Sequence, residues 1–288
     1  MDTSFVDFLS EKLHTTIKSY QPISGGDISN AYLIETSLER FFLKLNKNPN
    51  ALDIFTAEKK GLETIAATRT IKTPNAIDIG KYNEHAFLIL EYIETKNPSD
   101  REMESFGFQL AELHNSQSEN YVGFPEDNFI GRLHQSNKQH KTWIDFYIEE
   151  RLQPQFDMAL KQGFLNSKEI PSKEHLHSNL KTFFNTINPS LLHGDLWNGN
   201  YLISSNGEVY LIDPATYYGH HEVDIAMSKL FGGFSNSFYN AYQQVIPFDK
   251  NTNSRIELYQ LYYLLVHLNM FGNSYYSSVK RILSNYFG

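Results

Sequence analysis

The stretch LLHGDLWNGNYLI (Leu191 to Ile203) sets a polar octet between two short apolar runs. It carries an imidazole (His193), a carboxylate (Asp195) and two amides (Asn198 and Asn200), with two glycines and Trp197 among them. Shortly afterwards VYLI (Val209 to Ile212) forms a second β-leaning run that ends on Asp213. The plainest reading is a β-hairpin, Tyr201 to Ile212, with acid and amide turn chemistry at each end. Spacing adds a chemical reading. Asp195 and Asn200 are five apart and Asp213 follows thirteen later. One amide and one carboxylate then stand at facing strand ends, with a second carboxylate just upstream.

Upstream of this stretch the chain is β-rich. Phe5, Phe8, Leu9 and Leu13 recur at helical spacing, so residues 2–16 read as an amphipathic helix. YQPISGGDISNAYLIE (Tyr20 to Glu35) is two β-leaning runs broken at Ser24-Gly25-Gly26-Asp27, the pattern of a hairpin with a glycine turn. RFFLKLN (Arg40 to Asn46) reads as a strand with Lys44 inside it, and Asp53 to Ala67 as a helix. EHAFLILEYIE (Glu84 to Glu94) is a strand running into a connecting segment.

After residue 95 helical patterns dominate: 100–115, 142–161, 173–186, 223–230, 235–244 and 255–271. The clear strand signals of this half are those flanking the opening motif. A β-rich first third joined to a helical remainder predicts an α+β fold of two lobes, 1–92 and 93–288, with a cleft between them.

Composition narrows the classes. The 288 residues are 41% hydrophobic and 20% charged, as in an ordinary globular protein with a well-buried core. A net charge of −8 does not favour nucleic acid or anionic membranes, so any phosphate site must be made locally. The absence of cysteine excludes disulfides, thiol catalysis and cysteine-ligated zinc. MDTSFVDFLSEKLHTT (Met1 to Thr16) lacks the basic start and apolar core of a signal peptide. The most apolar stretch, Leu258 to Phe271, falls short of the roughly 20 residues a spanning helix needs. A cytoplasmic protein with no membrane or nucleic-acid partner is the expectation.

A hard cation such as Mg²⁺ takes oxygen ligands and binds through few protein groups plus substrate phosphates. Asn200 and Asp213 supply such oxygens, which leaves Asp195 to orient and deprotonate a hydroxyl. This division of labour matches phosphoryl transfer in protein kinases, whose catalytic loop also spaces its Asp and Asn five apart. Here H-R-D is replaced by His193-Gly194-Asp195, and D-F-G by Asp213-Pro214-Ala215. Lys44 sits mid-strand, an expensive place for an ammonium without a partner. Glu58 on the following helix is that partner in a kinase-like reading, steering Lys44 to the α- and β-phosphates of ATP. Taken singly, Lys44 also fits a side chain snorkelling from an edge strand, and Glu58 a solvated helix face.

Gly25 and Gly26 allow backbone N–H groups to approach phosphate closely, although the loop is neither a Walker A motif nor G-x-G-x-x-G. Glu91, Tyr92 and Ile93 fall where a kinase-like chain crosses between lobes and meets the adenine edge with its backbone. The fold expected is the two-lobed protein kinase-like fold.

Beyond these positions the chain resembles the fructosamine kinase (ketosamine-3-kinase) family, whose fold is similar to aminoglycoside phosphotransferases and protein kinases. The resemblance is carried by SGGDISNAY (Ser24 to Tyr32), DNFIG (Asp127 to Gly131) and WIDFYIEERLQPQ (Trp143 to Gln155). It continues through HGDLWNGN (His193 to Asn200), DPATYYGHHEVDIAMSKLFGGF (Asp213 to Phe234), FYNAY (Phe238 to Tyr242) and LYQLYYLLVHLNMFG (Leu258 to Gly272). It implies ATP- and Mg²⁺-dependent phosphorylation of the sugar 3-hydroxyl of a ketoamine, free or on a glycated protein amine, serving deglycation. His134 departs from the pattern, since relatives tend to have proline there, and this bears on substrate preference rather than catalysis.

Other residues have two readings. Trp197 is either core packing beneath the loop or a flat apolar platform for a sugar edged by Asp195. Tyr217 lines the acceptor pocket or covers the hairpin. His267 lies in a helix that is mostly core by periodicity, and the resemblance adds a substrate-side role. His193 reads as a brace, Asp224 as the acid that accepts N–H bonds from the catalytic loop, and His220-His221-Glu222 as a bracing turn rather than a metal site. The rival functions are another small-molecule kinase of the same fold, of aminoglycoside or choline type, and an ATP-binding module without catalysis. Aromatics and histidines after Asp213 suit a sugar better than a polycation.

Overall fold

The structure is a computed structural model that describes residues 1–23, 29–116, 119–184 and 186–288. The expected glycine turn at Gly25 and Gly26 lies outside the described residues. The chain divides into two compact units, Met1–Pro98 with Tyr201–Asp213, and Ser99–Asn200 with Pro214–Gly288.

In chain order the first segment carries α1 (Thr3–Lys12), β1 (Ile17–Ile23), β2 (Asn30–Thr36), β3 (Arg40–Asn46), α2 (Ala51–Thr68), β4 (Ala76–Tyr82) and β5 (His85–Glu91). The second carries α3 (Asp100–Ser116), β6 (Asn128–Ile130), β7 (Leu133–Gln135), α4 (Trp143–Phe146), α5 (Gln153–Lys161), α6 (Lys173–Phe183) and β8 (Ser190–Leu192). The hairpin β9 (Tyr201–Ile203) and β10 (Val209–Leu211) follows. The last segment holds β11 (Tyr217–Gly219), α7 (Glu222–Leu230), α8 (Asn236–Val245), α9 (Thr252–Phe271) and α10 (Tyr276–Phe287).

In the first unit an antiparallel sheet of order β1-β2-β3-β5-β4 is covered on both faces. Asp2 caps α1 by accepting the Phe5 N–H at 2.8 Å, and Phe5 and Leu9 pack with Phe41, Leu43, Leu45, Phe87 and Ile89 on one face. Phe55 and Leu62 of α2 cover Leu88 and Leu90 on the other. Burial on both faces is why β5 reads as an unbroken apolar run. Lys44 pairs in register with Leu88, which puts it on the α2 face. Strand β4 carries no clear sequence signal. It is an edge strand with a bulge between Ala76 and Asp78, and a glycine and exposed Ile77 break its alternation.

The hairpin β9–β10 groups with the first unit, which a division of the chain at residue 93 does not contain. Backbone bonds explain it: Lys96 N to Ile203 O at 2.9 Å, Ser205 N to Glu94 O at 2.7 Å and Leu211 N to Lys72 O at 2.8 Å.

The second unit is mainly helical. Helices α3 and α8 approach so closely at Gly107 that a Cβ there would meet Phe238 O at 2.2 Å. Helix α9 is buried around nearly its whole circumference, because α5, α7 and α10 all pack on it. The helix expected over 142–161 is interrupted by a π-helical turn, Tyr147–Leu152, which turns Arg151 fully inward. Strand pairs β6–β7 and β8–β11 were not legible, since three residues are too few to show a period.

Candidate active site

In the first unit the mid-strand ammonium has the partners its burial demands. Lys44 Nζ lies 2.7 Å from Glu58 Oε1 and also pairs with Asp213 Oδ1. Lys44 and Glu58 are 9% and 8% exposed, so this is a buried pair and neither snorkels nor faces solvent. Burial works against the charge on Lys44, but Asp213 and Glu58 outweigh it and hold the group protonated. Burial pushes the Glu58 carboxyl up; Lys44 opposes this, and the negative charge of Asp213 adds to it. Asp213 adopts a left-handed backbone, φ 54°, which Asp tolerates better than most residues. That turn follows β10 directly.

At the end of β5 the Glu91 N–H donates to Asn75 O at 2.9 Å, and the Glu91 carboxylate accepts from the Asn75 side chain at 2.8 Å. Tyr92 carries the Arg40 guanidinium over its ring at 4.8 Å.

In the second unit the loop His193–Asn200 is held from several sides. Asp224 Oδ2 accepts the His193 N–H and Oδ1 the Gly194 N–H, both at 2.8 Å. Asp224 is fully buried; burial alone would raise its carboxyl, but the bond to His114 at 3.1 Å and the loop N–H groups hold it below the usual carboxylate range. The support expected of Asp224 is therefore present. His193 braces the loop as well, its Nδ1 accepting the Asp195 N–H at 3.2 Å. Gly194 has φ 84°, and a Cβ there would meet Ala215 O at 2.1 Å, so only glycine fits. The Tyr263 hydroxyl donates to Gly194 O at 2.7 Å.

Asn200 Nδ2 donates to Asp195 O at 2.8 Å and to Asp195 Oδ2 at 3.2 Å. That use of the amide nitrogen leaves Oδ1 as the oxygen that Asn200 offers. Asn200 in this unit and Asp213 in the first each offer oxygen atoms, the donor type that a hard cation such as Mg²⁺ takes and a soft metal does not.

Trp197 is 36% exposed and does not pack beneath the loop; its ring crosses Gly199, where a Cβ would lie 2.5 Å from it. Tyr217 is a correction to the sequence reading. It is 1% exposed, with the Arg151 guanidinium 4.0 Å from its ring and Phe146 beside it, so it is core and not an accessible acceptor wall. His267 is half-buried, and its Nδ1–H donates to Tyr263 O at 2.8 Å. The His220-His221-Glu222 turn brings donor atoms within 4.8 Å of one another, yet each already has a protein partner. Tyr259 and Tyr242 take the imidazoles and Arg255 the carboxylate. Burial depresses both imidazoles, His221 to about 3. Tyr263, His114 and Tyr242 support the loop without having been singled out. The one available signal was a tyrosine in a buried helix, whose hydroxyl needs a partner.

The fructosamine kinase family profile matches residues 1–288. The chain belongs to the fructosamine kinase family. It is 38% identical over 269 residues to a probable ketoamine kinase of Enterococcus faecium, covering 92% of this chain and 94% of that one. A chloroplastic protein-ribulosamine 3-kinase of Arabidopsis thaliana is 38% identical, covering 96% and 85%. Among solved structures, a fructosamine-3-kinase candidate from Haemophilus somnus 129PT superposes with a TM-score of 0.88 at 27% identity, covering 99% and 97%. An aminoglycoside phosphotransferase in complex with ADP and hygromycin B matches at TM-score 0.67 and 17% identity, covering 99% and 100%, which extends the likeness to that broader kinase-like fold. A smaller sheet-based unit and a larger helical one make up the chain. Among the described residues no helix is long and apolar enough to cross a membrane.

Proposed function

We propose that this chain transfers the γ-phosphoryl group of ATP to the sugar 3-hydroxyl of ketoamines such as ribulosamine and fructosamine adducts, serving deglycation. The observation that carries the reading is the buried Lys44, held between Glu58 and Asp213, in a chain that matches its family from end to end. In the first unit, the nucleotide-binding one, Lys44 takes the α- and β-phosphates, with Gly25 and Gly26 assigned as further backbone donors. The connection Glu91-Tyr92-Ile93 meets the adenine edge.

In the second unit, the acceptor-binding one, Asp195 aligns the acceptor hydroxyl and accepts its proton as the bond to phosphorus forms. The amide of Asn200 fixes the Asp195 carboxylate in orientation. Asn200 and Asp213 are the ligands we assign to Mg²⁺, whose charge, when bound, offsets that of the phosphates. Trp197 supplies the flat face for the sugar, and His267 lies on the acceptor side. Positioning and charge neutralisation do most of the work, since phosphoryl transfer asks little covalent chemistry of the protein. The compartment proposed is the cytoplasm, where ATP and glycated amines meet.

The test is an ATP-coupled assay across ribulosamines, erythrulosamines, fructosamines, choline and aminoglycosides. Turnover of ketoamines is expected. Turnover confined to choline or aminoglycosides overturns the assignment, and ATP consumption with no acceptor modified revives the non-catalytic alternative.

A further inference from the structure

The π-helical turn Tyr147–Leu152 carries a charge into the core of the second unit, where Arg151 is 0% exposed. Its Nη1 donates to Ser136 O at 2.6 Å and to Glu150 O at 3.0 Å, and Nη2 to the Asn137 side-chain oxygen at 2.7 Å. The Nε–H meets no acceptor among the described residues. Tyr217 at 4.0 Å and Phe146 at 4.5 Å cover the guanidinium, with Tyr262 at 5.8 Å. Every one of these partners is neutral. Among the described residues no carboxylate pairs with Arg151, although a buried charge is costly without one. The carboxylates close by are engaged elsewhere, Glu150 with His140 at 2.8 Å and Asp127 with the Asn137 N–H at 2.8 Å.

The rings that enclose Arg151 belong to the segments that hold the catalytic loop. Tyr217 pairs in register with Leu192, the residue before His193. Ala215, two residues before Tyr217, donates its N–H to His193 O at 2.8 Å. Tyr262 is followed on α9 by Tyr263, whose hydroxyl holds Gly194 O. Charge is felt across the same layer. Burial pushes the Tyr262 hydroxyl up, Arg151 opposes this, and the negative charge of Asp195 adds to it. The loop itself, HGDLWNGN (His193 to Asn200), contains no lysine or arginine.

We propose that Arg151 is a positioning residue for phosphoryl transfer, its unpaired charge steadying the Asp195 carboxylate against the negative charge of the arriving phosphoryl group. The inference rests on the ketoamine kinase reading and adds a residue to it. Two negative groups have to meet at the acceptor hydroxyl, and their repulsion is strongest where water is excluded. A cation without a carboxylate of its own projects its charge into that region, whereas a paired one projects little beyond the pair. The bonds to Ser136, Glu150 and Asn137 ask for a donor, not for a charge. Burying the charge is therefore left unexplained by packing alone.

Asn137→Asp tests the charge without touching Arg151. Asn137 is 0% exposed and its side-chain oxygen already meets Nη2, so the exchange keeps the shape and supplies the missing counter-ion. It also removes the bond from Asn137 Nδ2 to Glu126 O, and thermal melts measure that loss. With a ribulosamine acceptor, kcat is expected to fall about tenfold while KM for ATP changes less than about twofold. Arg151→Lys should stay within about threefold of the wild-type kcat, and Arg151→Met should lose at least about tenfold, each measured below its own melting temperature. A folded Asn137→Asp with wild-type kcat, or equal kcat in Arg151→Lys and Arg151→Met, overturns the inference and leaves the kinase reading intact. If none of the three variants folds, Arg151 is a core residue alone and the inference falls. A wild type that phosphorylates no ketoamine removes the kinase reading, and the inference with it.

Discussion

The Lys44 ammonium lies 2.7 Å from the Glu58 carboxylate across the β3–α2 packing layer, with the two side chains only 11% and 9% exposed. A charge is costly there unless paired, and Asp213 shares the same ammonium from the end of β10. The three residues therefore act as one electrostatic unit, and removing any member leaves the others poorly compensated.

Lys44→Met should lower kcat/KM for ATP at least a hundredfold, about 3 kcal/mol of lost transition-state stabilisation. Glu58→Gln should act more weakly, since an amide still accepts from Lys44 but adds no charge. Kinetics at varied ATP, with thermal melts to separate unfolding from lost binding, check both.

Asp195→Asn keeps the shape of the side chain and removes its basicity. Turnover should fall by about 10²–10⁴, the usual span of a general base. ATP binding measured by calorimetry should persist, and near-normal activity in this variant would sink the role assigned to Asp195.

Tyr263→Phe deletes the hydroxyl that donates to Gly194 O at 2.7 Å. The expected cost is about 1 kcal/mol of stability and a several-fold loss in kcat, with KM for ATP little changed. Asp224→Ala strips acceptors from two buried N–H groups and from His114, so a larger loss, about 2–4 kcal/mol, should appear in chemical denaturation.

Acid should weaken the docking of α10. Glu169 accepts from Tyr276 and Asn166 and pairs with Lys280 at 2.9 Å, which lowers its carboxyl to about 2. A depressed carboxyl contributes stability that is fully present above its unfolded value near 4.5 and is lost as pH falls towards about 2. Glu169→Gln should cost on the order of 1 kcal/mol at pH 7, screening by solvent keeping it below the full linkage value. That difference should shrink steadily from pH 5 to pH 3 in urea melts. A gap that stays constant over this range would rule out the ionic contribution.

The parts of the site visible in the sequence are those set by short spacings. Lys44 stood out as one charge inside the apolar alternation of RFFLKLN, and the strand is found over those same residues. Asp195 and Asn200 stood out by a five-residue interval, and the bond between them spans that loop. The helical character beyond residue 95 was legible because long apolar faces repeat over several turns. Strand β4 and the pairs β6–β7 and β8–β11 were not, because short or bulged strands are specified by their partners.

The sequence by itself determined the α+β class and most of the long elements, and it singled out the acid, amide and ammonium groups assigned to the site. Local periodicity and covalent spacing suffice for these. Tertiary structure alone decided that Tyr217 is core under Arg151, that Trp197 is exposed, and that hairpin β9–β10 groups with the first unit. It also decided that Tyr263 holds the loop, through a bond spanning 69 residues of chain. Such contacts come from elements that each bury an apolar face, and no local pattern encodes which polar group then lies opposite another.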